Sequence, residues 1–158
     1  TQTLQNEALV ELKDPISMPA IFEYLHTVVP TEIDEQGHVN NLEFIRWMQT
    51  AALGHSAAQG WPGERYRDRN EGFVARSHSI EYLQSAYVGD EIIVLTWIAD
   101  FARVTSRRKY KIKRLRDDVT LAKAETNWAY ISLTKRLPTR IPQELSNDFI
   151  IVPVEEEP

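Results

Sequence analysis

Between positions 41 and 58, apolar residues recur at three- and four-residue spacing: Leu42, Ile45, Met48 and Ala52, with Phe44 and Ala51 beside them. That period predicts one buried face of an α-helix. Asn40 stands at the N-cap position, and Glu43, three residues on, is placed to reach back as in a capping box. Gly60, Pro62 and Gly63 mark the exit. At about 1.5 Å per residue the helix runs roughly five turns, and the pattern offers no other long one.

Before the helix, residues 21–29 are apolar and β-branched, which reads as a first strand ended by Pro30. After Gly72 the chain changes to strands, over 73–83, 91–100, 104–115 and 121–133, with turns at Gly89-Asp90 and Asp117-Asp118. Pro138 and Pro142 end the regular structure. The segment from Gly60 to Gly72 reads as a surface connection with one buried aromatic, the alternative being a rim or cover for a pocket. Residues 1–19 form a polar leader in which Leu4, Ala8, Leu9 and Leu12 space a short amphipathic helix up to Asp14-Pro15. The domain is therefore placed at 20–147, followed by a tail at 148–158. One strand, one long helix and four long antiparallel strands predict an α+β fold with the helix packed on a curved sheet.

Composition narrows the class. A chain of 158 residues is one ordinary domain. The absence of cysteine removes disulfides, thiolate metal sites and a cysteine nucleophile. No apolar run is long enough to span a bilayer, and the first residues show no secretory signal, so a cytoplasmic protein is the default. A net charge of −5 without a recognition motif disfavours nucleic acid. His26, His38, His55 and His78 have no metal-ligand spacing, so no metal site is expected. Neither a phosphate loop nor a dinucleotide fingerprint is present. Gly54-His55-Ser56 begins like a nucleophile elbow but lacks the second glycine and lies within the predicted helix.

Chemistry concentrates in the loop that leads into the helix, which holds Glu32, Asp34, Glu35, Gln36, Gly37, His38, Asn40 and Asn41. The first turn of a helix leaves N–H groups, here those of Asn41, Leu42 and Glu43, without intrahelical partners at an electropositive end. Such an end can polarise a carbonyl, and an upstream carboxylate can attack that carbonyl or activate water. A polar loop that merely caps the helix explains the same residues.

The run Asp34-Glu35-Gln36-Gly37-His38-Val39-Asn40-Asn41 resembles the D-x-x-G-H-V-N-N signature of the 4-hydroxybenzoyl-CoA thioesterase-like branch of the hotdog superfamily. Tyr82-Leu83-Gln84-Ser85-Ala86-Tyr87-Val88-Gly89-Asp90-Glu91 and Arg140-Ile141-Pro142-Gln143-Glu144-Leu145 are similar to later stretches of that family. The resemblance spans roughly 21–147. It implies a single hotdog domain, a five-stranded antiparallel sheet wrapped around one long central helix, working as a homodimer or homotetramer with sites between protomers. It implies an acyl-CoA thioesterase in which Asp34 is nucleophile or general base and the Asn41 N–H polarises the thioester carbonyl. Gly37 would permit close backbone approach, with His38 and Asn40 as further candidates. Two positions depart: Glu32 stands where many members have a second aspartate, and Phe44 where tyrosine is common. The first changes the reach of a supporting carboxylate, the second bears on substrate preference.

Eight of the 18 Lys and Arg lie between Arg103 and Arg116. This stretch could steer the phosphates of coenzyme A or an acidic carrier protein, or form a solvated strand face. Arg103, falling near a basic turn that contacts the nucleotide in the family, Arg107 and Arg108 are the substrate-binding candidates, with Phe44. No cofactor is expected beyond coenzyme A as part of the substrate. The alternatives are an acyl carrier protein thioesterase, a hotdog protein that binds acyl thioesters without hydrolysing them, and a dehydratase, whose motif is not visible.

Overall fold

The computed structural model describes residues 20–158, so the leader and its expected short helix lie outside the described residues. The chain runs β1 (Phe22–Thr27), a 3-10 turn (Pro30–Glu32), α1 (Asn41–Ala58), α2 (Gly63–Arg69), β2 (Glu71–Tyr82), β3 (Glu91–Phe101), β4 (Thr105–Arg114), β5 (Val119–Ser132), β6 (Leu137–Pro138) and α3 (Gln143–Asn147). The five long strands form one antiparallel sheet in the order β1-β3-β4-β5-β2, and the two-residue β6 extends it beside β5. This is the expected α+β arrangement. Register shifts at Ala75/Ser77, Ile98/Asp100 and Ile112/Lys113 insert extra residues. Such bulges bend strands and increase twist, which curls the sheet around α1.

Helix α1 buries Phe44, Trp47, Met48, Ala51, Ala52 and His55. The buried face is thus rotated from the predicted one: Leu42 is 64% exposed, and Trp47 takes part in the core instead. All of these buried side chains but His55 pack with Val94, Tyr110, Ile112, Leu121 and Ala122 from the sheet in the main core. A second cluster, Trp61, Ile98, Tyr130, Ile141, Leu145 and Phe149, closes the far end.

Residues 60–72 contain helix α2 where an irregular connection was expected, and the one buried aromatic expected there is Trp61, its indole N–H donating to Asp148 Oδ2 at 2.8 Å. Regular structure does not stop at Pro142, because that proline is the N-cap of α3. The segment after 147 packs on the domain: Val152 N–H donates to Ile98 O at 3.0 Å, Phe149 is buried, and Lys109 Nζ meets Glu157 Oε1 at 2.7 Å. In each case apolar side chains in a polar-looking segment found a place in the second core.

Glu32 ties three elements together at the helix entrance. Its carboxylate accepts from His26 Nε2 at 2.8 and 3.0 Å, from Trp47 Nε1 at 2.7 Å and from the Val29 N–H at 2.9 Å. These donors come from β1, the middle of α1 and the 3-10 turn. Burial pushes the Glu32 pKa up, but the hydrogen bonds from Val29, His26 and Trp47 together outweigh it and hold the carboxyl below the ordinary value of 4.5. Because the folded pKa is depressed, the stabilisation is fully present above the unfolded value and lost as pH falls through the folded one. Replacing Glu32 by Gln turns an amide N–H₂ towards groups that are themselves donors. Glu32→Gln is expected to cost about 1–3 kcal/mol near neutral pH. Urea titrations of both proteins should show that gap narrowing as pH is lowered from about 6 to about 3; a pH-independent gap would contradict a charged clasp.

Candidate active site

The loop between Glu32 and Asn41 is a tight turn. Ile33 and Val39 form an antiparallel bridge. Asp34 N–H donates to His38 O at 2.9 Å, and Gly37 N–H donates to Asp34 O at 3.1 Å. Gly37 has φ +87°, in the left-handed region that favours glycine. Aspartate at the first turn position is favoured because its side chain can bond backbone two residues on; here Gln36 N–H donates to Asp34 Oδ1 at 2.9 Å. The turn is anchored beneath by Val39 N–H donating to Ala86 O at 2.8 Å and Asn40 N–H donating to Glu32 O at 2.9 Å. Residues 85–90 are themselves held by Arg114, whose Nη1 reaches Ser85 O at 3.2 Å and lies 3.5 Å from Asp90 Oδ2.

Asp34 therefore presents its carboxylate from a fixed backbone, with the side chain 26% exposed. One oxygen is occupied by Gln36, and Oδ2 lies 3.8 Å from His38 Nδ1. His38 belongs to the turn as much as to any chemistry: Nδ1 is 3.1 Å from Val39 O, and Nε2 is 3.0 Å from Gln36 Oε1.

The helix N-terminus is less open than the sequence suggests. Asn40 caps it, its Oδ1 accepting from Leu42 N–H at 3.0 Å, and Glu43 N–H donates to Asn40 O at 2.9 Å. The expected capping box does not form, because the Asn40 N–H is taken by Glu32 O; the Glu43 carboxylate lies 3.8 Å from Arg46 Nε. Among the described residues no group accepts from the Asn41 N–H. Of the three N–H groups considered, that one remains available at the positive end of the dipole.

Tyr82, at the end of β2, was not singled out from the sequence. Its hydroxyl donates to Asn41 O at 3.2 Å, and its ring meets Phe44 edge-on at 5.4 Å. Burial raises its pKa. Phe44 is buried between Tyr82 and Trp47, so it supports the helix entrance from inside. The available signal was positional: Tyr82 opens the second motif-like stretch.

The basic stretch divides by strand alternation. Along β4, Ser106, Arg108, Tyr110, Ile112 and Arg114 are buried, while Arg107, Lys109, Lys111 and Lys113 lie on the opposite face. Arg107 is exposed and pairs with Asp100 at 2.7 Å and Glu125 at 3.3 Å; Lys113 pairs with Asp118. Arg108 is not on the surface face with Arg107: it is 5% exposed and points inwards. Arg103 is exposed in the turn after β3 and lines a shallow depression with Arg140, Gln143 and Ser146. Among the described residues Arg103 has no ion pair.

The main apolar cavity, about 350 Å³, lies elsewhere, along α1 from Gln49 to Ser56. Ala52 on its wall is eleven residues from Asn41, roughly 16 Å along the helix. Tyr66, Arg67, Glu71 and Gly72 line it, so residues 60–72 do rim a pocket. Among the described residues no three His, Asp or Glu side chains converge as a metal site would need, and no helix is long and apolar enough to cross a membrane.

Comparison with known proteins agrees with this fold. Residues 28–149 match the family model of the thioesterase-like superfamily. The fold is similar to a 1,4-dihydroxy-2-naphthoyl-CoA thioesterase from Synechocystis, with TM-score 0.76 and 20% identity over 81% of this chain and 94% of that one. A Staphylococcus aureus protein solved in complex with CoA gives TM-score 0.76 and 16% identity over 81% of this chain and 80% of that one. An acyl-ACP thioesterase from Bacteroides thetaiotaomicron gives TM-score 0.77 and 22% identity over 88% of this chain. The match spans 55% of that enzyme's own length. A curled antiparallel sheet around α1, these structural likenesses and a family match over most of its length make the chain a hotdog-fold member of the thioesterase-like superfamily.

Proposed function

We propose that the protein hydrolyses acyl-CoA thioesters at the turn and helix entrance formed by Asp34 and Asn41. The observation that carries this reading is the Asp34 carboxylate held on a hydrogen-bonded turn just upstream of a helix whose first N–H, that of Asn41, has no acceptor among the described residues. The Asn41 N–H donates to the thioester carbonyl oxygen, where negative charge develops as the carbon becomes tetrahedral. Asp34 takes a proton from water as the water oxygen attacks that carbon. The C–S bond then breaks, and the leaving thiolate takes up the proton. In the nucleophilic variant Asp34 itself attacks, and water hydrolyses the resulting mixed anhydride. Either route draws on no cofactor beyond the coenzyme A of the substrate. Gly37, His38 and Asn40 shape the turn and cap, and Arg103, which has no ion pair among the described residues, meets a phosphate of the substrate. The first alternative is a carrier-protein substrate, which the likeness to the Bacteroides acyl-ACP thioesterase suggests; the second is a silent acyl-thioester binder, which has no need of Asp34.

Thiol release from short, long and aromatic acyl-CoAs tests the reading. Asp34→Ala is expected to lower turnover by about 10²-fold or more while leaving the fold intact by circular dichroism. Equal turnover by variant and wild type would remove Asp34 from the chemistry. Absence of turnover with every acyl-CoA would transfer the test to acyl carrier proteins.

We further propose a homodimer built on β2. Among the described residues that strand pairs only with β5, and none of them covers its 12-residue outer edge. Val74 and Tyr82 on it, and Leu42 and Leu53 on α1, are exposed apolar side chains that a second copy would cover. Because Tyr82 also touches the helix entrance, pairing there would bring the partner to the site. Sedimentation at micromolar concentration is expected to give a dimer or a multiple of it; a monomer would contradict this.

A further inference from the structure

The cavity beside the second half of α1 contains a charge that its surroundings do not neutralise. Its walls are mainly apolar, with Phe73, Phe101, Trp128 and Phe149 among them, and Arg108 lines it from β4. Arg108 is 5% exposed. Its Nη1 donates to His55 Nδ1 at 2.9 Å and to Thr96 Oγ1 at 3.1 Å, both neutral acceptors. Among the described residues no carboxylate lies within ion-pair distance of Arg108, and none accepts from its Nε or Nη2. Among the described residues the one carboxylate on the cavity wall, Glu71, is engaged by the Tyr130 hydroxyl at 3.0 Å and Arg69 Nε at 3.2 Å. Arg67 also lines the cavity; Ser56 and Tyr66 satisfy one another at 2.8 Å.

A buried guanidinium is costly unless an anion pairs with it, and its fork of N–H donors matches a carboxylate. Burial draws the Arg108 pKa down, offset in part by the phenols of Tyr110 and Tyr66, yet an arginine keeps its proton in proteins. Arg67 is solvent-exposed, so Arg108 is the one buried cation on the wall; it suits one negative charge on an apolar body, whereas a phosphate would bring more charge than one buried guanidinium balances. We infer that this cavity is a second ligand site that takes a small amphipathic carboxylate, its apolar part against Phe73, Phe101, Trp128 and Phe149 and its carboxylate accepting from Arg108. The same chemistry is presented by a free carboxylic acid and by an acyl group that ends in a second carboxylate. The site lies away from the Asp34 turn, and the inference stands independently of the hydrolysis proposed there.

Calorimetric titration with octanoate and with methyl octanoate tests it on the wild-type protein, without turnover. Octanoate is expected to bind at least about tenfold more tightly than its ester. Arg108→Met should abolish that preference, and Leu133→Trp, at an exposed position on the cavity wall, should weaken octanoate binding with the fold retained. Equal binding of acid and ester by the wild type would overturn the inference even if Arg108→Met failed to fold, and so would an acid preference that survives in the variant. Competition, carried out in Asp34→Ala so that neither acyl-CoA is hydrolysed to its free acid, separates the two sources. Displacement of bound octanoate by suberoyl-CoA but not by octanoyl-CoA assigns the site to the far end of an acyl group. Displacement by neither assigns it to the free acid, and displacement by both overturns the role of the carboxylate.

Discussion

The helix entrance depends on one buried carboxylate. Glu32 accepts hydrogen bonds from a strand histidine, a helix indole and a turn N–H, so β1, α1 and the loop between them cannot move independently. The indole donor is the specific part. Trp47 sits nearly two turns into α1, and its link to Glu32 fixes how the helix is rotated against β1. This also explains why Trp47 joins the buried face and Leu42 does not. A glutamate, one methylene longer than aspartate, reaches all three donors from the 3-10 turn, so the departure from the family pattern at this position has a full set of partners.

Everything nearer the proposed chemistry follows from that anchor. Glu32 O accepts the Asn40 N–H, which places the cap; Asn40 then occupies the Leu42 N–H and leaves that of Asn41. Between Glu32 and Asn40 the chain has room only for the hairpin-like turn closed by Asp34 and His38. The capping box predicted from Asn40 and Glu43 fails because its donor is already taken. A local motif lost to a longer-range bond, and that bond carries the constraint linking the buried clasp to the exposed Asp34.

How much was legible varies with how local the determining interaction is. The strand and helix order, and α1 with its cap at Asn40, follow from period and end signals that lie within a few residues. The turn at Asp34–Gly37 was equally local, since aspartate and glycine at those positions have backbone reasons to be there. The rotation of α1, the clasp of Glu32 and the contact of Tyr82 with Asn41 were not legible, because their deciding bonds, Trp47 to Glu32 and Tyr82 to Asn41, join residues 15 and 41 positions apart. Helices α2 and α3 were missed for a related reason. Both are short, and neither N-cap, Pro62 or Pro142, makes a side-chain capping bond.

The basic stretch shows how a pattern can be present and still be read for composition alone. Counting charges between Arg103 and Arg116 suggests one positive surface, but a strand sorts residues by parity. Tyr110 and Ile112 belong inside, so Arg108 and Arg114 on the same face must go inside with them. Arg114 meets Asp117 at 3.0 Å and Asp90 at 3.5 Å and becomes a support for the loop under the Asp34 turn. Arg108, three register steps away on the same face, meets only neutral acceptors and an apolar space. The two arginines share a strand, a face and near-complete burial. What separates them is the presence of a carboxylate, and that difference divides a structural cation from one whose counter-ion must come from outside the described chain.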